Sequence, residues 1–294
     1  MKEPIFTGTA TALITPFRDG KIDFYSFDRL LELQLEAGVD AIIVCGTTGE
    51  ASTLDSGEKV SLWKHAVNYL KGRTKIIAGT GTNNTNTSVL LSEQAADCGV
   101  DGLLAVTPYY NKCSQEGLFR HYIAIADAAE LPLITYNVPS RTGVDLLPET
   151  CAKLMQHPNI NGIKEAGGNI SRVAKLRQLC KEDFYIWSGN DDQIVPMMSL
   201  GAVGVISVLS NLCPKTVKKI TDVCQRGDYS TAADLQIQYL PLIEALFSDV
   251  NPIPIKKALE ELQLCSGELR MPLTPLSERK SIALLEIMRN YCIE

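Results

Sequence analysis

Ala41-Ile42-Ile43-Val44-Cys45-Gly46-Thr47-Thr48-Gly49-Glu50 is an apolar run that ends abruptly in a glycine-bounded polar turn. Apolar residues without polar alternation mark a strand buried on both faces. Helical patterns flank it. Phe27, Leu30, Leu31 and Leu35 share a face ahead of a stop at Gly38, and Val60, Trp63, Val67 and Leu70 repeat this ahead of Gly72. The same unit recurs outward in both directions. Strands are predicted at 8–16, 41–46, 75–79, 102–107, 131–137, 161–165, 185–189 and 202–208, with further helices beginning at Ser114 and ending before Pro158. Eight such units in residues 1–224 predict an α/β fold, a (β/α)8 TIM barrel, with an open doubly wound sheet as the alternative. Beyond Cys224 the strand pattern stops. Three helical runs, 229–247, 255–264 and 278–292, are separated by Pro252, Pro254, Pro272 and Pro275, so residues 225–294 are expected to form a C-terminal helical subdomain.

Composition narrows the function classes. The 294 residues are 45% apolar and can bury a large core, and a net charge of −6 with no basic stripe argues against nucleic acid as a partner. Nine cysteines, without a Cys-x-x-Cys pair, match neither a disulfide framework nor a zinc cage, and point to a reducing cytoplasm. The start, Met1-Lys2-Glu3-Pro4, has no leader-like apolar stretch, and no segment has the length of a membrane span. Neither a targeting signal nor a membrane partner is expected.

Reactive residues cluster where barrel strands end, the face on which this fold builds its sites. Lys164 interrupts the short apolar strand Asn161-Gly162-Ile163-Lys164-Glu165-Ala166. A lysine there must snorkel, pair or react. Reaction as a nucleophile needs the neutral amine, and an ordinary lysine with a pKa of about 10.4 leaves roughly one side chain in 2,500 neutral at pH 7. Burial in a barrel mouth can lower that pKa by about three pH units, a differential destabilisation of the ammonium of roughly 4 kcal/mol. Imine chemistry also needs a proton shuttle. The three histidines, His65, His121 and His157, fall in predicted helices away from strand ends, whereas Tyr136, Tyr110 and the Thr47 hydroxyl are better placed for a relay. The turn 46–49 offers amides and hydroxyls for a carboxylate, and Arg141 after strand five could grip a second one. Each residue alone also has a structural reading, as a core aromatic or a loop ion pair. Glu50, Asp191 and Asp192 read as capping or structural carboxylates. Gly79-Thr80-Gly81-Thr82-Asn83-Asn84 lacks the third glycine of a dinucleotide loop, and no His, Cys, Asp and Glu cluster has metal spacing, so neither cofactor nor metal is expected.

Together, Gly46-Thr47-Thr48-Gly49-Glu50, Tyr136-Asn137-Val138-Pro139 and Gly162-Ile163-Lys164-Glu165-Ala166 resemble the dihydrodipicolinate synthase and N-acetylneuraminate lyase family of pyruvate-dependent, Schiff-base aldolases, over essentially the whole chain. The resemblance implies that Lys164 forms an imine with pyruvate while Tyr136, Thr47 and a neighbouring subunit's Tyr110 relay protons. The Thr47 and Thr48 amides would hold the pyruvate carboxylate beside Gly189 and the Ile206 carbonyl. A homotetramer, a dimer of tight dimers, is implied as well. Ser140-Arg141-Thr142-Gly143 resembles the synthase-like members, with Arg141 clamping the carboxylate of L-aspartate-4-semialdehyde; the alternative is a sugar-acid lyase using the same lysine, and an alternative of another class is a non-catalytic keto-acid-binding barrel. At the family's effector cleft the matching positions are Ser52, Ser56, Lys59, Asn83, Thr87 and Tyr109. Lys59 and Thr87 stand where strongly lysine-inhibited members carry histidine and glutamate, so weak or absent inhibition by lysine is expected.

Overall fold

The computed structural model describes residues 2–181 and 183–291. Eight parallel strands close into a barrel: β1 (Gly8–Ala12), β2 (Ala41–Val44), β3 (Lys75–Gly79), β4 (Gly102–Val106), β5 (Leu133–Asn137), β6 (Ile160–Glu165), β7 (Tyr185–Ser188) and β8 (Gly204–Ser207), with β1 paired to both β8 and β2. Each prediction from the sequence lands on one strand, and closure removes the open-sheet alternative. Closure also leaves no barrel strand with an unpaired edge. A hairpin, Phe17–Arg18 with Lys21–Ile22, escaped the sequence reading because two residues are too few to show a period.

Helices α1 (Phe24–Glu36), α2 (Ser56–Leu70), α3 (Thr85–Asp97), α4 (Gln115–Ala129), α5 (Pro139–Thr142), α6 (Pro148–Leu154), α7 (Ile170–Cys180), α8 (Ile194–Ser199) and α9 (Pro214–Gln225) surround the barrel. Their starts are chemically defined. Asp55 and Glu58 form a reciprocal capping box on α2, and the Ser114 hydroxyl accepts from the Gly117 amide at α4. Three more helices follow, α10 (Tyr229–Leu246), α11 (Ile253–Glu261) and α12 (Glu278–Arg289). Cys292, the expected end of the last, lies outside the described residues, as does Met1. Among the described residues no helix is long and apolar enough to cross a membrane.

Strand alternation produces two cores. One lies between strands and helices and includes Leu30, Trp63, Tyr122 and Leu246; the other fills the barrel interior with Ala10, Ala41, Ile43, Ile77, Leu104, Ile134, Tyr136, Trp187 and Ile206. The N-terminal end of the barrel is sealed. Phe6 stacks on Trp187 at 5.2 Å, and the Lys2 ammonium donates to the carbonyls of Met155, His157 and Ile160. The C-terminal mouth is left for chemistry.

Candidate active site

In β6 the two-residue period sends Lys164 inward and Glu165 outward. Glu165 is fully engaged outside the barrel, accepting from Arg172 Nε at 2.7 Å, the Gly167 amide at 2.7 Å and Asn137 Nδ2. Lys164 sits in register between Tyr136 and Trp187 of the adjacent strands and is 5% exposed, with Nζ 4.4 Å from the centre of the Tyr136 ring. Burial is the main force on its proton. Desolvation lowers the pKa from 10.5 to about 7, with Asp191 opposing and the Arg141 guanidinium assisting. At neutral pH the neutral amine is therefore enriched about a thousandfold over an ordinary lysine.

Next to the amine, small residues leave room. A Cβ on Gly189 would lie 3.1 Å from Lys164 Cε and 2.7 Å from Ala166 Cβ, so a side chain there would push on the nucleophile. Tyr136 is buried, and its hydroxyl, hydrogen-bonded to the Thr47 side chain, is pushed up by desolvation but pulled back by Arg141 and Thr47. The turn after β2 folds on itself: the Gly49 and Ala51 amides donate to the Gly46 carbonyl and the Glu50 amide to that of Thr47. Among the described residues the Thr47 and Thr48 amides donate to no protein acceptor, which suits them to a carboxylate. Gly79 admits this turn, since a Cβ there would lie 2.1 Å from the Cys45 carbonyl oxygen.

A cavity of about 330 Å³ opens over these groups, its walls including Thr47, Tyr136 and Arg141. Lys164 is not on that wall but lies against the Tyr136 ring, which is, and Ile206 packs in the same interior cluster as that ring. Tyr110 is not brought in; it is 91% exposed. His65 on α2 pairs with Asp28 and the buried His121 on α4 meets Thr85 at 3.0 Å, both away from the site. His157 is in the turn after α6 rather than in a helix, because that helix stops at Leu154 ahead of Pro158. The carboxylates read as structural behave so where the packing engages them. Asp191 accepts the Val208 and Leu209 amides, and Glu50 accepts the Arg270 amide and forms a buried pair with Lys256.

Asn251 is a site residue the sequence did not reveal. Its Nδ2 donates to Thr48 Oγ1 at 3.0 Å, its carbonyl oxygen lies 3.4 Å from Arg141 Nη2, and its Oδ1 is buried without a partner. Only the Pro252-bearing joint after a helix marked its position.

A closed parallel barrel with a buried, proton-poor lysine inside its mouth and a tyrosine–threonine pair beside it is the arrangement of an imine-forming barrel enzyme. The comparisons with known proteins are more particular. Residues 5–290 match the model of the Dihydrodipicolinate synthetase family, and the chain belongs to that family. It is 48% identical to the 4-hydroxy-tetrahydrodipicolinate synthase of Alkaliphilus oremlandii, covering 98% of this chain and 100% of that one. With the enzyme of the same name from Caldicellulosiruptor saccharolyticus identity is 48%, over 99% and 98% of the two chains. The crystal structure of dihydrodipicolinate synthase from Thermotoga maritima superposes with a TM-score of 0.97 at 40% identity, over 99% and 100% of the chains.

Proposed function

We propose that the chain condenses pyruvate with L-aspartate-4-semialdehyde to give 4-hydroxy-tetrahydrodipicolinate, on the route to diaminopimelate and lysine. The observation that carries this is the buried Lys164 with its pKa near 7. Its neutral amine attacks the ketone carbon of pyruvate, whose carboxylate is held by the Thr47 and Thr48 amides with Gly189 and Ile206 around it. The carbinolamine loses water to give a protonated imine, and loss of a methyl proton leaves the enamine that attacks the aldehyde. The amine of the semialdehyde then adds to the re-formed imine carbon, closing the ring and expelling the Lys164 amine. Tyr136 and Thr47 move these protons, with Tyr110 completing the relay from a neighbouring chain of a homotetramer. Arg141 clamps the carboxylate of the aldehyde. The covalent imine takes the place of any cofactor, and the free thiols suit a reducing cytoplasm.

Borohydride reduction in the presence of pyruvate, followed by peptide mass analysis, tests the reading. It predicts a reduced adduct on the peptide containing Lys164, and turnover with L-aspartate-4-semialdehyde rather than with sugar acids. An unmodified Lys164 peptide overturns the chemistry, and turnover of N-acetylneuraminate overturns the substrate.

A further inference from the structure

Gly189, whose missing side chain makes room for that of Lys164, donates its amide to the Glu165 carbonyl, so the turn after β7 runs alongside the end of β6. Two residues further on, this turn carries Asp191. Its carboxylate is 2% exposed and only half engaged: Oδ2 accepts the Val208 and Leu209 amides beyond β8 at 3.0 and 2.9 Å, whereas Oδ1 is buried without a hydrogen-bond partner. A carboxylate oxygen left so is costly unless a cation is near. Lys164 is the cation that acts on Asp191, and the action is mutual. An asparagine carbonyl would serve the two amides equally well. The second oxygen therefore points to the charge, not the hydrogen bonds, as what this position contributes.

We propose, resting on the imine chemistry assigned to Lys164, that Asp191 is a positioning residue whose free Oδ1 supplies the counter-charge to the Lys164 nitrogen, first as ammonium and then as protonated imine. The burial that strips the amine of its proton also penalises the imine. As the carbinolamine takes up a proton and its hydroxyl leaves as water, the nitrogen is left with a full positive charge in the same dry surroundings. Arg141 adds to that penalty, and Asp191 offsets it until loss of the methyl proton gives the neutral enamine. The groups acting on the nitrogen come from three elements: Asp191 after β7, Arg141 of α5, and the Tyr136 ring of β5, whose hydroxyl burial keeps uncharged at neutral pH. Burial pushes the Asp191 carboxyl up, while the Ser207 hydroxyl, the two amides and Lys164 pull it back.

The acid limb of Lys164 reactivity is read in two ways, by borohydride trapping with pyruvate and by acetylation with acetic anhydride, each followed by mass analysis of the Lys164 peptide. Asp191→Asn keeps an oxygen for the two amides and loses the charge. Without its counter-charge the ammonium is harder to hold, so the limb should move down from about 7 by about one pH unit. Half-maximal trapping at pH 8 should need about tenfold more pyruvate, because the imine cation loses the same partner. An amine easier to acetylate at pH 6 and an imine harder to form are opposite effects; loosened packing would instead hydrate the lysine and move the limb up toward 10.5. Asp191→Glu retains the charge and should keep the limb near 7. Circular dichroism verifies folding, and Asp191→Ser takes the place of Asp191→Asn if that variant is unfolded; if neither folds, the carboxylate is structural and the proposal is overturned. A limb that stays or rises overturns it, and so does an unchanged dependence on pyruvate. Should the wild type give no adduct at all, the proposed activity has failed, and the acetylation limb alone then decides on Asp191.

Discussion

Lys164 shows most clearly how one residue trades stability for reactivity. Its folded-state pKa of about 7 lies below the 10.5 of an exposed lysine, so between those values the unfolded chain holds a proton that the folded chain does not. Stability therefore rises with pH from about 7 to 10.5, and below 7 the fold carries the full penalty, on the order of 4 to 5 kcal/mol. Lys164→Met should be inactive yet more stable than the wild type at pH 7, with the gap closing toward pH 10.5. Denaturant titrations at pH 7 and 10 measure this, and a variant less stable at pH 7, or a gap indifferent to pH, would sink it. The same proton governs the reaction. Below pH 7 the neutral fraction falls tenfold per pH unit, so the rate of borohydride trapping should show an acid limb near pH 7; a limb near 10 would mean that the amine is not desolvated in solution.

Among the elements, the segment after α10 ties the C-terminal helices to the mouth of the barrel. Lys256 of α11 pairs with Glu50 in the turn after β2, both almost wholly buried, while its Nζ lies 4.2 Å from the centre of the Phe17 ring and donates to the Glu268 carbonyl. Lys256→Met alone would strand a buried carboxylate and should cost about 3 to 5 kcal/mol in urea titrations, whereas adding Glu50→Gln should recover most of it. A single variant within about 1 kcal/mol of wild type would show that the pair is solvated. Asn251, just ahead of α11, holds Thr48. Asn251→Ala should raise KM for pyruvate about fivefold through the lost hydrogen bond while leaving trapping on Lys164 intact; unchanged KM would remove the residue from the site. These long-range ties explain what the sequence shows and what it hides. The eight strands were legible because each is buried on both faces, and Lys164 because a cation in such a strand contradicts its surroundings. Asn251 was not, since its partner lies 203 positions away and nothing local distinguishes it from a loop asparagine. The Glu50–Lys256 pair was hidden for the same reason.

For the whole molecule, one chain does not complete the proposed relay. Leu242, Leu246, Ile255, Leu259 and Leu284 of α10, α11 and α12 share one core with the outer layer of the barrel, so these helices buttress the chain that bears the site. Tyr110 is the exception to this closure. It is 91% exposed and has a backbone φ of +71°, a conformation uncommon outside glycine, so among the described residues little packing offsets the strain of holding a large aromatic there. In the proposed tetramer it enters a neighbour's mouth and supplies the last hydroxyl of the relay. Mixing two inactive parents tests this directly. Tyr110→Phe keeps the nucleophile and should lose about a hundredfold or more in kcat, the scale of a proton-transfer role, while Lys164→Met keeps the tyrosine but has no nucleophile. Co-expressed with different tags and purified as mixed oligomers, they should regain activity, because each mixed pair contains one site with an intact lysine and an intact tyrosine from the other chain. If the tyrosine acts within its own chain, the mixture stays at the level of the Tyr110→Phe parent, and the structure must then bring an exposed side chain into its own cavity without a partner's help.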